Sequence, residues 1–333
     1  MPLRASIIIP AYNAEKTLAE CLAACQAQDY PDFEVIVADD GSTDGTGAAA
    51  RQFEAVHYHL QDNGGPSSAR NAGARIASGD VLVYTDADCV PRPDWLRQLA
   101  NGLVDGVVAI GGTYTIANPD SRLARVVQAE IAQRHRHFQK DVDFLGSFNV
   151  AYRREAFEAV GGFDETYRQA SGEDNDLAYR LIDRGGRLVF TPEAVVAHYH
   201  PERLLPYLRT QSRHGYWRVK LYREHPKRAT GDQYAGWPDL LAPPLGLALP
   251  FLLAALAQIG AWSGHGADAA VLGAALVLFY TALHAPLALR LRNTLSGGDL
   301  LYFLLVACLR DIARAAGLIK GFWTFTSRSG SKV

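Results

Sequence analysis

Short apolar runs alternate with segments whose apolar positions recur at helical spacing through the first hundred residues, which is the pattern of βαβ units. Residues 6–10, Ser-Ile-Ile-Ile-Pro, predict a strand, and residues 15–28 predict a helix with Leu18, Cys21, Leu22 and Cys25 on one face. A second strand over 33–38 runs into Asp39-Asp-Gly-Ser-Thr-Asp44, a polar turn rich in N-cap residues, and a helix through Phe53 should follow. Strands over 56–60 and 81–85 bracket a helix over 67–77, and the later strand closes on Asp86-Ala-Asp88. Polar residues thus gather where strands end, the edge at which open α/β sheets bind ligands.

After Pro93 the pattern predicts a helix to residue 103, a strand over 107–114, a basic helix over 122–140 and a strand over 144–152. A short helix over 154–160, the turn Gly161-Gly-Phe-Asp164, a helix over 174–183 and closing strands over 188–190 and 195–198 complete this body. A long basic and aromatic helix over 204–224 leads out of it.

From residue 240 the character changes, since Asp268 is the single charged side chain between 240 and 289. Residues 245–262 and 267–289 can each reach across a hydrocarbon core of about 30 Å. The link Ser263-Gly-His-Gly266 has no Lys or Arg, whereas Lys227 and Arg228 precede the pair and Arg290 and Arg292 follow it. The positive-inside rule therefore puts both the body and the C-terminus in the cytoplasm, with the pair anchored in the cytoplasmic membrane. A buried helical hairpin is the soluble alternative. Residues 300–323 carry Arg310, Asp311, Arg314 and Lys320, which suit an amphipathic interfacial helix better than a third span.

Charge sharpens the division. The chain of 333 residues has 33 basic and 35 acidic side chains, which excludes the footprint of a general nucleic-acid binder. Before residue 236 the counts are 26 and 31, and after it 7 and 4, so an acidic body precedes a basic tail. Four scattered cysteines make neither a disulfide framework nor a zinc ribbon, and Cys21 and Cys25 read as small core residues. The apolar run over 5–10 is too short for a signal peptide.

The chain lacks a Gly-x-x-x-x-Gly-Lys-Ser/Thr phosphate loop, a Gly-x-Gly-x-x-Gly after the first strand and a Gly-x-Ser-x-Gly elbow. What remains is carboxylates at strand ends. Asp86 and Asp88, two residues apart, could face a hard divalent cation and a ribose or water, or could form a solvated turn. Glu173-Asp-Asn-Asp176 could be reactive, or could complement the dipole of the helix it opens.

Five segments in order, Ser6-Ile-Ile-Ile-Pro-Ala-Tyr-Asn13, Val37-Ala-Asp-Asp-Gly-Ser-Thr-Asp44, Gly65-Pro-Ser-Ser-Ala-Arg-Asn71, Tyr84-Thr-Asp-Ala-Asp88 and Gly172-Glu-Asp-Asn-Asp-Leu177, resemble the family 2 glycosyltransferases. Tyr152-Arg-Arg154 and Gly161-Gly-Phe-Asp-Glu165 extend the resemblance, which covers about residues 5–200. It implies an α/β fold of the GT-A nucleotide-diphospho-sugar transferase type, a mostly parallel sheet flanked by helices, followed here by a helical membrane region.

The resemblance also implies roles. Pro10, Tyr12 and Asn13 would pack around the nucleobase and ribose, with Tyr12 stacking. Asp40 would accept a hydrogen bond from a pyrimidine imide with support from Asp39, and Arg70 would offset phosphate charge. Asp88 would ligate Mg²⁺ or Mn²⁺ with Asp86 beside it on the ribose side, and His198 is a second candidate ligand against the plainer reading of a surface histidine pair with His200. Asp174 would be the general base and Glu173 its orienting neighbour. Processive members carry Gln-x-x-Arg-Trp, whereas Gln211-Ser-Arg-His-Gly215 offsets the Arg and lacks the Trp, which argues against an extruding synthase.

These readings predict a GT-A catalytic domain over 1–200, a basic linker helix over 201–239, two transmembrane helices over 240–292 and an interfacial segment over 293–333. The activity implied is metal-dependent, inverting transfer of one sugar from a nucleotide-sugar donor, a UDP-sugar in first place, to a lipid-linked or envelope glycan. The alternatives are a polyprenyl-phosphate acceptor and a non-catalytic nucleotide-sugar-binding membrane subunit. The basic stretches 134–137 and 209–223 could hold a phosphorylated acceptor or membrane lipid, or could be solvated faces.

Overall fold

The computed structural model of the chain describes residues 3–229, 233 and 236–327. Two compact units emerge, residues 1–120 with 134–200 and residues 121–133 with 201–333. The ends of the expected linker and interfacial segments, at 230–232, 234, 235 and 328–333, lie outside the described residues.

The first unit is built on one sheet of eight strands. These are β1 (Ala5–Ala11), β2 (Phe33–Asp39), β3 (Val56–Leu60), β4 (Val81–Thr85), β5 (Cys89–Pro91), β6 (Val107–Ile116), β7 (Asn149–Arg153) and β8 (Arg187–His198), in the order β3-β2-β1-β4-β7-β6-β8-β5. The β3-β2-β1-β4 half is parallel, β7 runs antiparallel to both neighbours, and β8 pairs parallel with β6 and antiparallel with β5.

Strand β1 reads as a continuous apolar run because both its faces are covered. Ile7 and Ile9 face one way with Leu18 and Leu22 of α1 (Leu18–Gln26) and with Trp95 and Leu99 of α4 (Trp95–Gly102). Ile8 faces the other way with Leu82, Tyr84, Tyr152, Phe157, Phe163 and Leu177. Each such Ile is 0% exposed and contributes about 1.5–3 kcal/mol by leaving water. Cys21 and Cys25 are free and buried in the first of these layers, as expected of small core residues.

The remaining helices of this unit are α2 (Thr46–Ala50), α3 (Pro66–Ile76), α6 (Arg154–Ala159) and α7 (Glu173–Asp183). Strand β5 was not anticipated, and β7 begins at Asn149 instead of residue 144. The two expected closing strands are one strand, β8. Its partner register jumps between Gly111 and Thr113, and that irregularity absorbs Pro192, which cannot donate to a ladder. The helix expected over 122–140 is α5 (Arg122–His135) and stops early. His135 turns into the core, 2.8 Å from the Thr113 hydroxyl, and burial lowers its pKa to about 4.

The second unit gathers the start of α5 with α8 (Leu204–Glu224), α9 (Trp237–Ser263), α10 (Gly266–Leu291) and α11 (Gly297–Ser327). Helices α8 and α11 touch backbone to backbone. A Cβ on Gly317 would collide with the Ser212 carbonyl, and one on Gly215 with that of Arg314. Arg310 is buried against Glu130, and Asp311 accepts the Tyr280 hydroxyl at 2.9 Å with His284 Nε2 at 3.0 Å. Helices α9 and α10 are long and apolar enough to cross a membrane. The chain leaves much of their apolar surface uncovered, with Phe251 70%, Trp262 92% and Leu278 69% exposed.

Candidate functional site

Because β1, β2 and β4 are parallel, their C-terminal ends lie along one edge, and the candidate residues collect there. Pro10 sits near the end of β1 opposite Ala38, and Tyr12 beyond it is 55% exposed. Asn13 adopts a left-handed backbone (φ 51°). Its amide N–H donates to Ser42 Oγ at 2.9 Å and its side-chain oxygen accepts the Thr43 N–H at 2.9 Å, which ties the loop after β1 to the loop after β2.

Asp39 and Asp40 are both buried and divide between two jobs. Asp39 accepts the Tyr58 hydroxyl at 2.7 Å and the Ser42 N–H at 2.8 Å. Asp40 Oδ1 accepts Gln61 Nε2 at 2.7 Å and the Gly64 N–H at 2.8 Å, while Oδ2 accepts the Gly65 N–H at 2.8 Å. Oδ2 therefore retains a lone pair for one further donor. Gly65 has φ 92° and a Cβ there would stand 2.6 Å from the Arg168 carbonyl oxygen, so glycine is required both for the turn and for the approach.

Arg70, on α3, is 3% exposed and bridges two acids. One guanidinium nitrogen lies 2.9 Å from Glu173 Oε1, the other 3.0 Å from Asp86 Oδ1. Glu173 also accepts the Ser171 N–H at 2.6 Å. Gly172, at φ 90°, turns the chain into α7 so that Glu173 and Asp174 open that helix, where its dipole favours acids. The bridge made by the two terminal guanidinium nitrogens of Arg70 joins the end of β4 to the start of α7. Burial above all, and then the neighbouring Glu173 charge, raise the Asp174 carboxyl to about 7 against the pull of Arg70.

Register explains the third cluster. In the β5–β8 pair Cys89 stands opposite His198, which places Asp88, one residue earlier, against the imidazole with Oδ1 3.5 Å from Nε2. Asp88, Cys89 and His198 form the one group of potential ligand atoms within 4.8 Å of one another among the described residues. The donor set fits a hard or borderline divalent cation through carboxylate and imidazole. Two ligands at adjacent corners of an octahedral ion lie about 3 Å apart, near the observed separation. Burial raises the Cys89 thiol well above its ordinary pKa, and as a soft donor it suits such a cation less well than the carboxylate and the imidazole beside it.

All the candidate residues thus fall at the sheet edge, in a cluster of the loops after β1 and β2, an acid–arginine bridge and a carboxylate–imidazole pair. Sequence reasoning missed the pairing role of Arg70, and it offered His198 and His200 as a surface pair, whereas His200 is buried and the two Nδ1 atoms are 3.1 Å apart. The His-x-His spacing along an extended chain was the available signal.

The family model described as glycosyl transferase family 2 matches residues 6–161, and that for the N-terminal domain of galactosyltransferase matches residues 129–202. A pre-mycofactocin glycosyltransferase of Mycobacterium tuberculosis is 30% identical over 67% of this chain and 48% of its own, so the chain spans about half the length of that relative. A glycosyltransferase of Haloferax volcanii is 32% identical over 58% of this chain and 66% of its own. A mannosyltransferase of Pyrobaculum calidifontis, solved in complex with GDP-Man and Mn²⁺, superposes over 97% of this chain and 88% of its own with TM-score 0.65 and 25% identity. The strand order, the acids at the sheet edge and these likenesses agree that residues 6–161 of this chain, in a unit with the GT-A fold, belong to glycosyl transferase family 2.

Proposed function

We propose that the protein is an inverting, metal-dependent glycosyltransferase that moves one sugar from a nucleoside-diphosphate donor to a hydroxyl of a lipid-linked or cell-envelope glycan at the cytoplasmic membrane face. The observation that carries this reading is the Asp86–Arg70–Glu173 bridge, which holds the metal-side strand end and the helix bearing Asp174 in one site.

Asp40 offers one remaining lone pair, which suits a single N–H such as the uracil imide and favours a UDP-sugar. Tyr12, exposed beside it, supplies a stacking face. A divalent cation, Mg²⁺ or Mn²⁺, held by Asp88 and His198 would supply positive charge where the diphosphate leaves. Arg70 fixes Glu173 in place, and burial first, with the neighbouring Glu173 charge second, raises the Asp174 carboxyl to about 7. Asp174 takes the proton of the attacking hydroxyl, on the face of the sugar opposite the departing diphosphate. One displacement then inverts the anomeric centre.

The basic residues flanking the α9–α10 pair support anchoring with the catalytic unit in the cytoplasm. The test is purified full-length protein or its membranes incubated with a panel of nucleotide-sugars while nucleotide release is measured with Mn²⁺ and with chelator. Mn²⁺-dependent release from a UDP-sugar is expected; a panel giving no metal-dependent turnover, with tight nucleotide-sugar binding, would leave only a binding subunit. Recovery in a high-speed supernatant without detergent would contradict the membrane anchor.

A further inference from the structure

We infer that His200 is a positioning residue that sets the tautomer of His198 and thereby aims an unprotonated Nε2 at the Asp88 side of the site. This rests on the proposal above that Asp88 and His198 hold a divalent cation.

The two rings meet edge to face with centres 4.6 Å apart, His198 closing β8 and His200 two residues beyond it, a spacing that puts side chains on a common face in extended chain. Tyr199 between them points the other way and donates its hydroxyl to Glu20 at 2.6 Å. His198 lies with Nε2 3.5 Å from Asp88 Oδ1 and Nδ1 3.1 Å from His200 Nδ1. A neutral imidazole carries one proton, and a nitrogen that ligates a cation cannot carry it. The proton of a ligating His198 must then sit on Nδ1, where the His200 Nδ1 accepts it, and His200 keeps its own proton on Nε2.

His200 is well placed to act as a fixed acceptor. It is 3% exposed, and Asn118 grips its backbone from both sides, accepting the His200 N–H at 3.0 Å and donating to the His200 carbonyl at 2.8 Å. Tyr114 completes the mount, stacked on His198 with ring centres 5.3 Å apart and set edge-on to His200 at 5.4 Å. The reversed arrangement, with His200 donating to His198, would put a proton on the His198 nitrogen that faces Asp88 and shut out a cation.

The experiment compares His200→Phe, which keeps a ring but no acceptor, with His200→Asn, whose side-chain oxygen falls near the lost Nδ1. Mn²⁺ affinity of full-length protein in detergent, with UDP present, is read from the free-ion electron paramagnetic resonance signal. His200→Phe should weaken Mn²⁺ binding by about 10–100-fold, and His200→Asn should recover it to within a few-fold. Phe within twofold of the parent, or Phe and Asn equally weak, would overturn the inference. His198→Ala separates it from its premise: unchanged Mn²⁺ affinity there would remove the cation site itself, whereas a loss there with none in His200→Phe would remove only the positioning role. If His200→Phe fails to fold, the ¹⁵N shifts of His198 in the parent protein with Mg²⁺ decide, a proton on Nδ1 supporting the assignment and a proton on Nε2 overturning it.

Discussion

Arg70 and Glu173 are 103 positions apart in the chain, yet guanidinium nitrogen and carboxylate oxygen meet at 2.9 Å in a setting where both side chains are 3% exposed. Attraction of this kind repays desolvation only when both partners are present. Arg70→Met should therefore strand two acids and cost about 3–5 kcal/mol, lowering the midpoint of thermal unfolding by roughly 10 °C in a protein of this size. Thermal unfolding in detergent measures it; a change below about 1 kcal/mol would mean that the bridge does not hold the two elements together.

The Asp174 carboxyl, raised to about 7, is half protonated near neutral pH. A general base works in its ionised form, so kcat/KM should climb about tenfold per pH unit below 7 and level off above it. A profile flat between pH 5 and 8 would contradict the assignment.

Asp174→Asn should reduce transfer by about 10²–10⁴-fold if the acceptor is a hydroxyl. A phosphate acceptor brings no proton to remove, so mild impairment would point to a polyprenyl-phosphate substrate. The initial-rate ratio of variant to parent distinguishes the two.

The same carboxyl affects stability with a definite sign. Its pKa is higher folded, about 7, than the ordinary carboxylate value of 3.8, so the folded state binds its proton more tightly. The stabilisation is complete below the unfolded value and is lost as pH rises through 7. Asp174→Asn should consequently raise the unfolding midpoint more at pH 8 than at pH 4; an equal change at both would refute the cause given for the shift.

Asp88→Asn should lower Mn²⁺ affinity at least tenfold while sparing metal-free nucleotide binding, since the Asp40 loop is intact. Isothermal titration with UDP, with and without Mn²⁺, separates these effects.

Much of this was readable in the chain. Strands β3 and β4 match their expected limits because β-rich runs between polar turns signal strands, continuous and apolar in β4 and alternating with His in β3. The loops after β1 and β2 were legible because each lies in one contiguous segment. The Arg70 bridge was not, since nothing local in 65–71 states which acids will close on it. The continuity of β8 through Pro192 was hidden as well, because a proline reads as a break and only a neighbouring irregular register reveals the accommodation.

The three hydrogen bonds that converge on Asp40 have an evolutionary corollary. The acid that would read the nucleobase is also the keystone of the 61–65 loop, so a substitution that altered base preference at this position would first unmake that loop. Donor choice in such a scaffold would change by exchanging whole loops, not by drift at one residue.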